Sequence, residues 1–176
     1  NKSVRNIQLL NGHLWITTNW NGTYCYRPET DELRKLKPAN KHLDDMLVSS
    51  IAMKDEQTFL MATPYSILRI AFTGTDYIHD DLETTEMSFD NLTYDSFINN
   101  RINKLYVDRK NKVVWLGTFG KGLLKSNMQD NQVKRILLDK DIYNVNGVVQ
   151  DAHGYVWLTT EYHGIWKSNS NQFSAA

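Results

Sequence analysis

The chain has 176 residues, of which 41% are hydrophobic, and its 20 Lys and Arg balance its 20 Asp and Glu. This length and apolar fraction suit a globular core rather than a disordered chain. The balanced charge argues against a nucleic-acid partner, because binding to nucleic acid starts from clustered and unbalanced Lys and Arg.

A single cysteine, Cys25, excludes an internal disulfide and a cysteine-built metal site. No spacing of His and Cys matches a zinc site, so we predict no metal and no cofactor. Cys25 lies in an apolar run, and we expect it to be a buried structural thiol. The sequence has no run of the roughly 18 apolar residues that a spanning helix needs. It begins with Asn, and we expect it to be part of a longer protein.

One pattern recurs four times along the chain. Each unit has a first apolar strand, a short polar turn, a second strand with a large apolar residue at its centre, a loop, a third strand and a weaker fourth strand. The second and third strands are predicted, in chain order, at His13–Thr18 and Thr23–Tyr26, Thr58–Thr63 and Ile67–Phe72, Val113–Thr118 and Leu123–Lys125, and Tyr155–Thr160 and Ile165–Lys167.

The central residues of the second strands, which we call the anchor residues, set the length of the repeat. They are Trp15, Leu60, Trp115 and Trp157, separated by 45, 55 and 42 residues. This is the length of a four-stranded propeller blade. We therefore predict an all-β fold, a β-propeller segment of four four-stranded antiparallel blades at about 1–44, 45–99, 100–142 and 143–176.

The longer second spacing coincides with an acidic region at 73–96, which we interpret as an insertion in the outer part of the second blade. The segment is either part of a larger ring or, alternatively, a closed ring of four blades. In an open segment the first and last blades leave unpaired edges. Further propeller blades or another copy of the chain would then cover them.

Most of the repeated residues are expected to be structural. The anchor residues would pack between blades, since a buried Trp contributes a large apolar area. A threonine ends each second strand and would satisfy backbone groups, and a glycine follows the loop in three units and would supply special backbone angles. These residues are Thr18, Thr63, Thr118 and Thr160, and Gly22, Gly122 and Gly164.

The loops after the second strands, and the segments that lead into the first strands, would open on one rim. Their side chains differ from blade to blade within a constant frame, as a recognition surface requires. Stacking faces and amides of this kind suit a sugar. The candidate ligand-binding residues are Asn19, Trp20, Asn21, Tyr65, Phe119, Tyr143, Asn144, Glu161, Tyr162 and His163.

Two other functions remain open. Glu161 and His163 lie two residues apart and would act as acid and base in a propeller lyase, if a substrate reached both. No other residue completes such a site, so we predict that the segment is not an enzyme and has no catalytic residue. The second alternative is a purely structural or protein-interaction propeller.

The motifs from Asp151 to Lys167, namely Asp-x-x-Gly, x-Trp-Leu/Ile-x-Thr and Gly-Leu/Ile-x-Lys, resemble the two-component regulator propeller repeat. The third unit matches through Trp115-Leu-Gly-Thr118 and Gly122-Leu-Leu-Lys125, and the first through Trp15-Ile-Thr-Thr18. The second departs from the pattern, because it lacks the Trp and both glycines. Lyases of the streptogramin type carry similar runs, so it is the repetition that makes the resemblance specific.

The resemblance is to the periplasmic sensor region of Bacteroides-type hybrid two-component histidine kinases. It implies a non-catalytic, periplasmic propeller that detects glycan-derived oligosaccharides and signals to transcription through a phosphorelay. It further implies an inner-membrane parent protein, a homodimer at full length, and more blades than four. Kinase and DNA-binding parts would lie outside this chain.

Overall fold

The computed structural model describes residues 3–37, 47–64, 66–87, 101–128, 132–138, 142–169 and 172–176. Over these residues the secondary structure consists of sixteen β-strands and no helix. The strands form four antiparallel sheets of four strands each, joined in sequence order. This confirms the prediction of an all-β chain built from four blades.

The chain divides into two compact units, Asn1–Met87 and Ser88–Ala176, with two blades in each. The predicted blade limits stay predictions, because residues 38–46 and 88–100, which join blades, lie outside the described residues. No helix in the described ranges is long and apolar enough to cross a membrane.

The first unit contains blades 1 and 2. Blade 1 consists of β1 (Val4–Leu10), β2 (His13–Thr18), β3 (Thr23–Arg27) and β4 (Glu32–Lys35). Blade 2 consists of β5 (Ser50–Met53), β6 (Thr58–Ala62), β7 (Ile67–Phe72) and β8 (Leu82–Met87). The acidic region 73–96 thus contains a blade strand, β8, as well as the connection that precedes it.

The turn between β1 and β2 shows how local sequence sets the register. Asn11 and Gly12 both have positive φ, 48° and 75°. Two successive residues of this kind form the tight hairpin turn whose twist matches that of the flanking strands. The turn pairs Leu10 with His13, and in the resulting register Trp15 lies opposite Gln8.

The second unit contains blades 3 and 4. Blade 3 consists of β9 (Ile102–Asp108), β10 (Val113–Thr118), β11 (Leu123–Asn127) and β12 (Val133–Ile136). Blade 4 consists of β13 (Val145–Gln150), β14 (Val156–Thr160), β15 (Ile165–Asn169) and β16 (Gln172–Ala175).

Each sheet has two faces, because side chains alternate along a strand. We call the face that carries the anchor residue the anchor face, and the other the back face. In the first unit the anchor face of blade 1 packs on the back face of blade 2. The Trp15 ring lies 4.4 Å from that of Phe59, 6.0 Å from Phe72 and 5.5 Å from Tyr77, and it is fully buried.

Tyr77 belongs to this core although it lies in the connection between β7 and β8. It is fully buried, and its hydroxyl donates a hydrogen bond to the Glu56 carbonyl and accepts one from the Asn11 amide. Cys25, opposite Trp15 on β3, is buried in the same cluster. Burial raises the pKa of this thiol to about 12, and the expectation of a buried thiol is confirmed.

The second unit repeats this arrangement. Trp115, on the anchor face of blade 3, lies in one cluster with Val148, Leu158 and Phe173, which come from the back face of blade 4. The rings of Trp115 and Phe173 are 6.2 Å apart in an edge-to-face arrangement. In both units, therefore, an anchor face is covered by the back face of the blade that follows it in the chain.

Candidate ligand-binding rim

The loops after the second strands share one backbone frame. Thr18, Thr118 and Thr160 donate their hydroxyls to the carbonyls of Gly22, Gly122 and Gly164, at 2.8, 2.8 and 2.9 Å. The three glycines have φ of 74°, 71° and 69°, a region that glycine adopts without the steric cost of a side chain. In blade 2, Thr63 donates to the Ser66 carbonyl at 3.1 Å instead.

The residue after each threonine ties its loop to the segment that leads into the first strand. The amides of Asn19, Phe119 and Glu161 donate to the carbonyls of Ser3, Arg101 and Asn144, at 3.0, 2.7 and 3.2 Å. In three blades, the two segments expected to share a rim are therefore hydrogen-bonded to each other. The frame fixes the backbone and leaves the side chains free to differ.

In the second unit, Asn144 joins two loops. Its side-chain oxygen accepts a hydrogen bond from the Gly120 amide at 3.0 Å, and its side-chain nitrogen donates to the Glu161 carboxylate. Its backbone forms an isolated antiparallel bridge with Phe119. The structure thus brings Phe119, Tyr143, Asn144 and Glu161 together, and we call these four residues the unit 2 rim.

Two arginines flank the aromatic rings of the unit 2 rim. The guanidinium of Arg101 lies over the Phe119 ring at 5.6 Å, and that of Arg135 over the Tyr143 ring at 5.5 Å. Neither arginine was among the candidate ligand-binding residues. Arg135 lies on the outer strand β12 of blade 3. The alternation of polar and apolar residues along this short strand does not predict a contact with Tyr143, which leads into blade 4.

Tyr162 and His163 complete the loop of blade 4. Tyr162 is 81% exposed, more than Trp20, Phe119 or Tyr143. The His163 amide donates to the Thr160 hydroxyl, and its carbonyl accepts from the Trp166 indole at 2.9 Å. Across the described part of the chain, no hydrogen bond joins Glu161 to His163, and the Glu161 carboxylate is bonded to Asn144 instead.

The first unit has fewer described candidate residues, and the side chains of the two asparagines among them have separate partners. Asn19 donates its side-chain amide to the Ser3 hydroxyl at 2.9 Å, and Asn21 donates to the Tyr24 hydroxyl at 2.6 Å. Trp20 is 69% exposed and has a φ of 62°, which is unusual for a bulky residue. Tyr65, the candidate from blade 2, lies outside the described residues.

The anchor residues differ in how their polar atoms are satisfied. The Trp15 indole donates to the Leu10 carbonyl at 3.3 Å. The Trp157 indole donates to the Asp151 carboxylate at 2.8 Å, and this hydrogen bond lowers the pKa of Asp151. The buried Trp115 indole nitrogen has no partner among the described residues. Leu60, which replaces Trp in blade 2, is 1% exposed.

A polar cluster links the two blades of the first unit away from the rim, at residues for which the sequence predicted no role. Arg27 of β3 bonds to Glu32 at 3.3 Å and to Asp76. His79 lies 3.0 Å from Asp76 and 3.5 Å from Glu32. The hydrogen bond from His79, with help from the Ile78 amide and Arg27, lowers the pKa of Asp76 to about 2. In the described ranges, no group of three or more His, Cys, Asp and Glu side chains is arranged to hold a metal ion.

Two extracellular domains from B. thetaiotaomicron share the fold of the chain. The one assigned to the hybrid two component system BT3049 is 16% identical, with a TM-score of 0.72 over 98% of this chain and 23% of that one. The one assigned to BT4673 is 20% identical, with a TM-score of 0.66 over 98% of this chain and 22% of that one. The chain thus spans about a fifth of the length of these domains.

The same fold occurs in proteins of other kinds. The β-propeller domain of Swd1 from Myceliophteria thermophila is 6% identical, with a TM-score of 0.66 over 93% of this chain and 51% of that one. An ancestral GH74 enzyme is 13% identical, with a TM-score of 0.68 over 98% of this chain and 24% of that one. No family model and no curated protein matches the chain. What these likenesses share is the β-propeller fold.

Proposed function

We propose that this chain is a non-catalytic, ligand-binding part of the periplasmic propeller region of a hybrid two-component sensor kinase. Its ligands are glycan-derived oligosaccharides. The motifs that resemble two-component regulator propeller repeats support this proposal, as do the extracellular domains of hybrid two component systems among the proteins with the same fold. In the parent protein, a homodimer, binding would be relayed to transcription by a phosphorelay in parts outside this chain.

The unit 2 rim is the observation that carries the proposal. A sugar offers apolar C–H faces, which stack on aromatic rings, and hydroxyls, which exchange hydrogen bonds with amides and carboxylates. Tyr143 is 47% exposed and Phe119 is 41% exposed, and the neighbouring Tyr162 is still more exposed. Asn144 and Glu161 supply polar groups that are already oriented by their mutual hydrogen bond.

Preorganisation is what distinguishes this rim from an ordinary polar surface. The Asn144 side chain is held at both ends, by the Gly120 amide and by Glu161, so little side-chain entropy remains to be lost on binding. The loop backbone is likewise fixed by the threonine and glycine frame. A ligand can therefore bind without reorganisation of the loops.

Calorimetry tests the proposal directly. Cello-, xylo-, malto- and galacto-oligosaccharides are titrated into the chain, and we expect heat with at least one series. Tyr162→Ala is expected to weaken that binding by about tenfold, the effect of losing one stacked ring of about 1.4 kcal/mol. Tyr155→Ala is the matched control, since Tyr155 lies at the opposite end of blade 4, beside the β13–β14 turn.

Two results would contradict the proposal. Absence of heat with every series would exclude binding of these oligosaccharides by this segment. Release of new products from any series, abolished by Glu161→Gln, would show an enzyme in place of a sensor.

A further inference from the structure

The unit 2 rim is flanked by two cations that no carboxylate neutralises. Arg101 and Arg135 are both exposed, and each guanidinium lies over an aromatic ring of the rim. Within the described ranges, no ion pair joins either arginine to a carboxylate. The carboxylate of the rim itself, Glu161, is hydrogen-bonded to the neutral amide of Asn144. An anion that enters the rim therefore meets two guanidinium groups and does not have to displace another anion from them.

The backbone frame holds the rings that these arginines cover. The Arg101 carbonyl accepts a hydrogen bond from the Phe119 amide at 2.7 Å, so this arginine is tied to its own ring. The Tyr143 carbonyl accepts from the amides of Gly120 and Gly122 at 2.8 and 2.7 Å. Arg135 is held in β12 by its pairing with Leu124 of β11. Both guanidinium groups are thus positioned before any ligand binds.

A guanidinium over an aromatic ring can still bind an anion. The attraction to the ring acts through the face of the guanidinium, whereas its N–H donors point outwards in the plane of the group. A carboxylate or a sulfate can accept two parallel hydrogen bonds from that edge. Such charge-assisted hydrogen bonds are about twice as strong as those between neutral groups.

The charge of the second unit favours the same kind of ligand. Residues 88–176 contain 11 Lys and Arg against 8 Asp and Glu, whereas residues 1–87 contain 9 against 12. An excess of one sign raises the local concentration of ligands of the opposite sign. The first unit, with its exposed Trp20, has the opposite excess and lacks this advantage.

We propose that the oligosaccharide bound by the unit 2 rim is acidic, and that Arg101 and Arg135 bind a carboxylate or sulfate group on the sugar. The inference rests on the proposed function, since it takes the sugar-binding rim as given and specifies the class of its ligand. The rings of Phe119 and Tyr143 stack on the apolar faces of the sugar. The arginines bind its charged substituent and select acidic sugars over neutral ones.

Calorimetry with matched ligands is the first test. Cello-, malto- and galacto-oligosaccharides are compared with the same chains oxidised to the carboxylate at C6, and with the same chains sulfated at O6. We expect at least one charged form to bind about tenfold or more tightly than its neutral parent. The carboxylate and sulfate arms show which anion the arginines prefer.

Ionic strength separates the charged contact from stacking. Raising it from about 0.01 M to about 0.15 M shortens the Debye length from about 30 Å to about 8 Å. We expect the affinity for the charged form to fall several-fold over this range. The affinity for the neutral parent should stay constant, because stacking and neutral hydrogen bonds are not screened.

Arg135→Gln and Arg101→Gln test the residues directly. Each is expected to weaken binding of the charged form about tenfold and to leave binding of the neutral parent within about twofold. Lys134→Gln is the matched control, because it removes the same charge from an exposed residue of the same strand whose side chain points to the other face. Arg135→Lys keeps the charge without the paired donors and should fall between the wild type and Arg135→Gln. Unchanged melting temperatures show that the variants fold.

Four results would overturn the proposal. Charged and neutral forms of equal affinity would do so and leave the proposed function standing. A loss of selectivity in Lys134→Gln as large as in Arg135→Gln would mean that the general charge of the unit attracts the ligand. Inorganic sulfate that binds as tightly as the sulfated sugar would mean an anion site in which the sugar has no part. Absence of heat with every neutral and charged form would contradict the proposed function as well.

Discussion

Replacing Trp15 by alanine is expected to lower the free energy of unfolding of the first unit. We expect this loss to be larger than the loss that truncation of any other anchor residue causes in its own unit. The ring is fully buried between blades 1 and 2, against Phe59, Phe72 and Tyr77. Its indole nitrogen also donates a hydrogen bond to the Leu10 carbonyl. The substitution therefore leaves a cavity in the core and removes a partner from a backbone carbonyl.

The magnitude follows from the buried area. A tryptophan buries about 150–250 Å², which at about 25 cal/mol per Å² corresponds to roughly 4–6 kcal/mol as an upper bound. Truncations of this kind cost about 3–5 kcal/mol in measured cores. Because whole domains are stable by only about 5–15 kcal/mol, we expect the free energy of unfolding of the first unit to fall by roughly a fifth or more.

Trp157→Ala is the matched comparison. Trp157 is the anchor of blade 4 and is only partly buried. We expect its truncation to cost about 2 kcal/mol or less, because fewer packing contacts are lost. Trp15→Phe, which keeps a ring in the core but loses the hydrogen bond, should lie between the two.

Urea unfolding followed by hydrogen exchange and mass spectrometry measures these changes unit by unit. In Trp15→Ala, amide protection should fall in β2, β3 and β6, which surround the cavity. Equal losses of stability in Trp15→Ala and Trp157→Ala would refute the reasoning, because the different burial of the two anchor residues would then have no energetic consequence.

Three further predictions concern single positions. Gly117→Ala should destabilise the second unit by about 1–3 kcal/mol in urea unfolding, since a Cβ there would lie 2.9 Å from Val145 Cγ1 and 3.1 Å from the Val145 carbonyl; Thr159→Ala at the equivalent exposed position should cost little. The carboxylate of Asp76 has a pKa lowered to about 2, so its contribution to stability is present above about pH 4 and is lost as the pH falls through 2. Asp76→Asn should therefore flatten the acid side of the stability profile, and an unchanged profile would contradict this. Cys25, with a pKa of about 12, should react with a thiol reagent at pH 8 at least about 100-fold faster in urea than in the native chain.

The fold was predictable because the spacing of the large apolar residues shows the repeat. The large apolar residue at the centre of each second strand recurs after about one blade length of sequence, as at Trp115 and Trp157. A side chain that is kept at the same place in every sheet is expected to pack in an equivalent environment in each. Leu60 keeps the position in a unit that lacks the other motif residues, which is why the second blade was recognisable. The strands themselves follow from this periodicity.

The candidate rim was predictable only in part. The loop positions followed from the blade geometry, and in the second unit the structure brings Phe119, Asn144 and Glu161 together. Arg135 was not identifiable, because a contact between an outer strand and a loop of the next blade depends on distances in space. Tyr77 was missed for a similar reason: a residue in a long acidic connection gave no sign that it enters the core.

The threonine and glycine frame has a consequence for how such a protein could acquire new specificity. Because the hydroxyl and carbonyl that close the loop belong to residues outside it, the side chains between them can be exchanged without altering the path of the chain. The loop of one blade could therefore be replaced by the loop of another blade. Diversity at the surface would then accumulate with little penalty to folding.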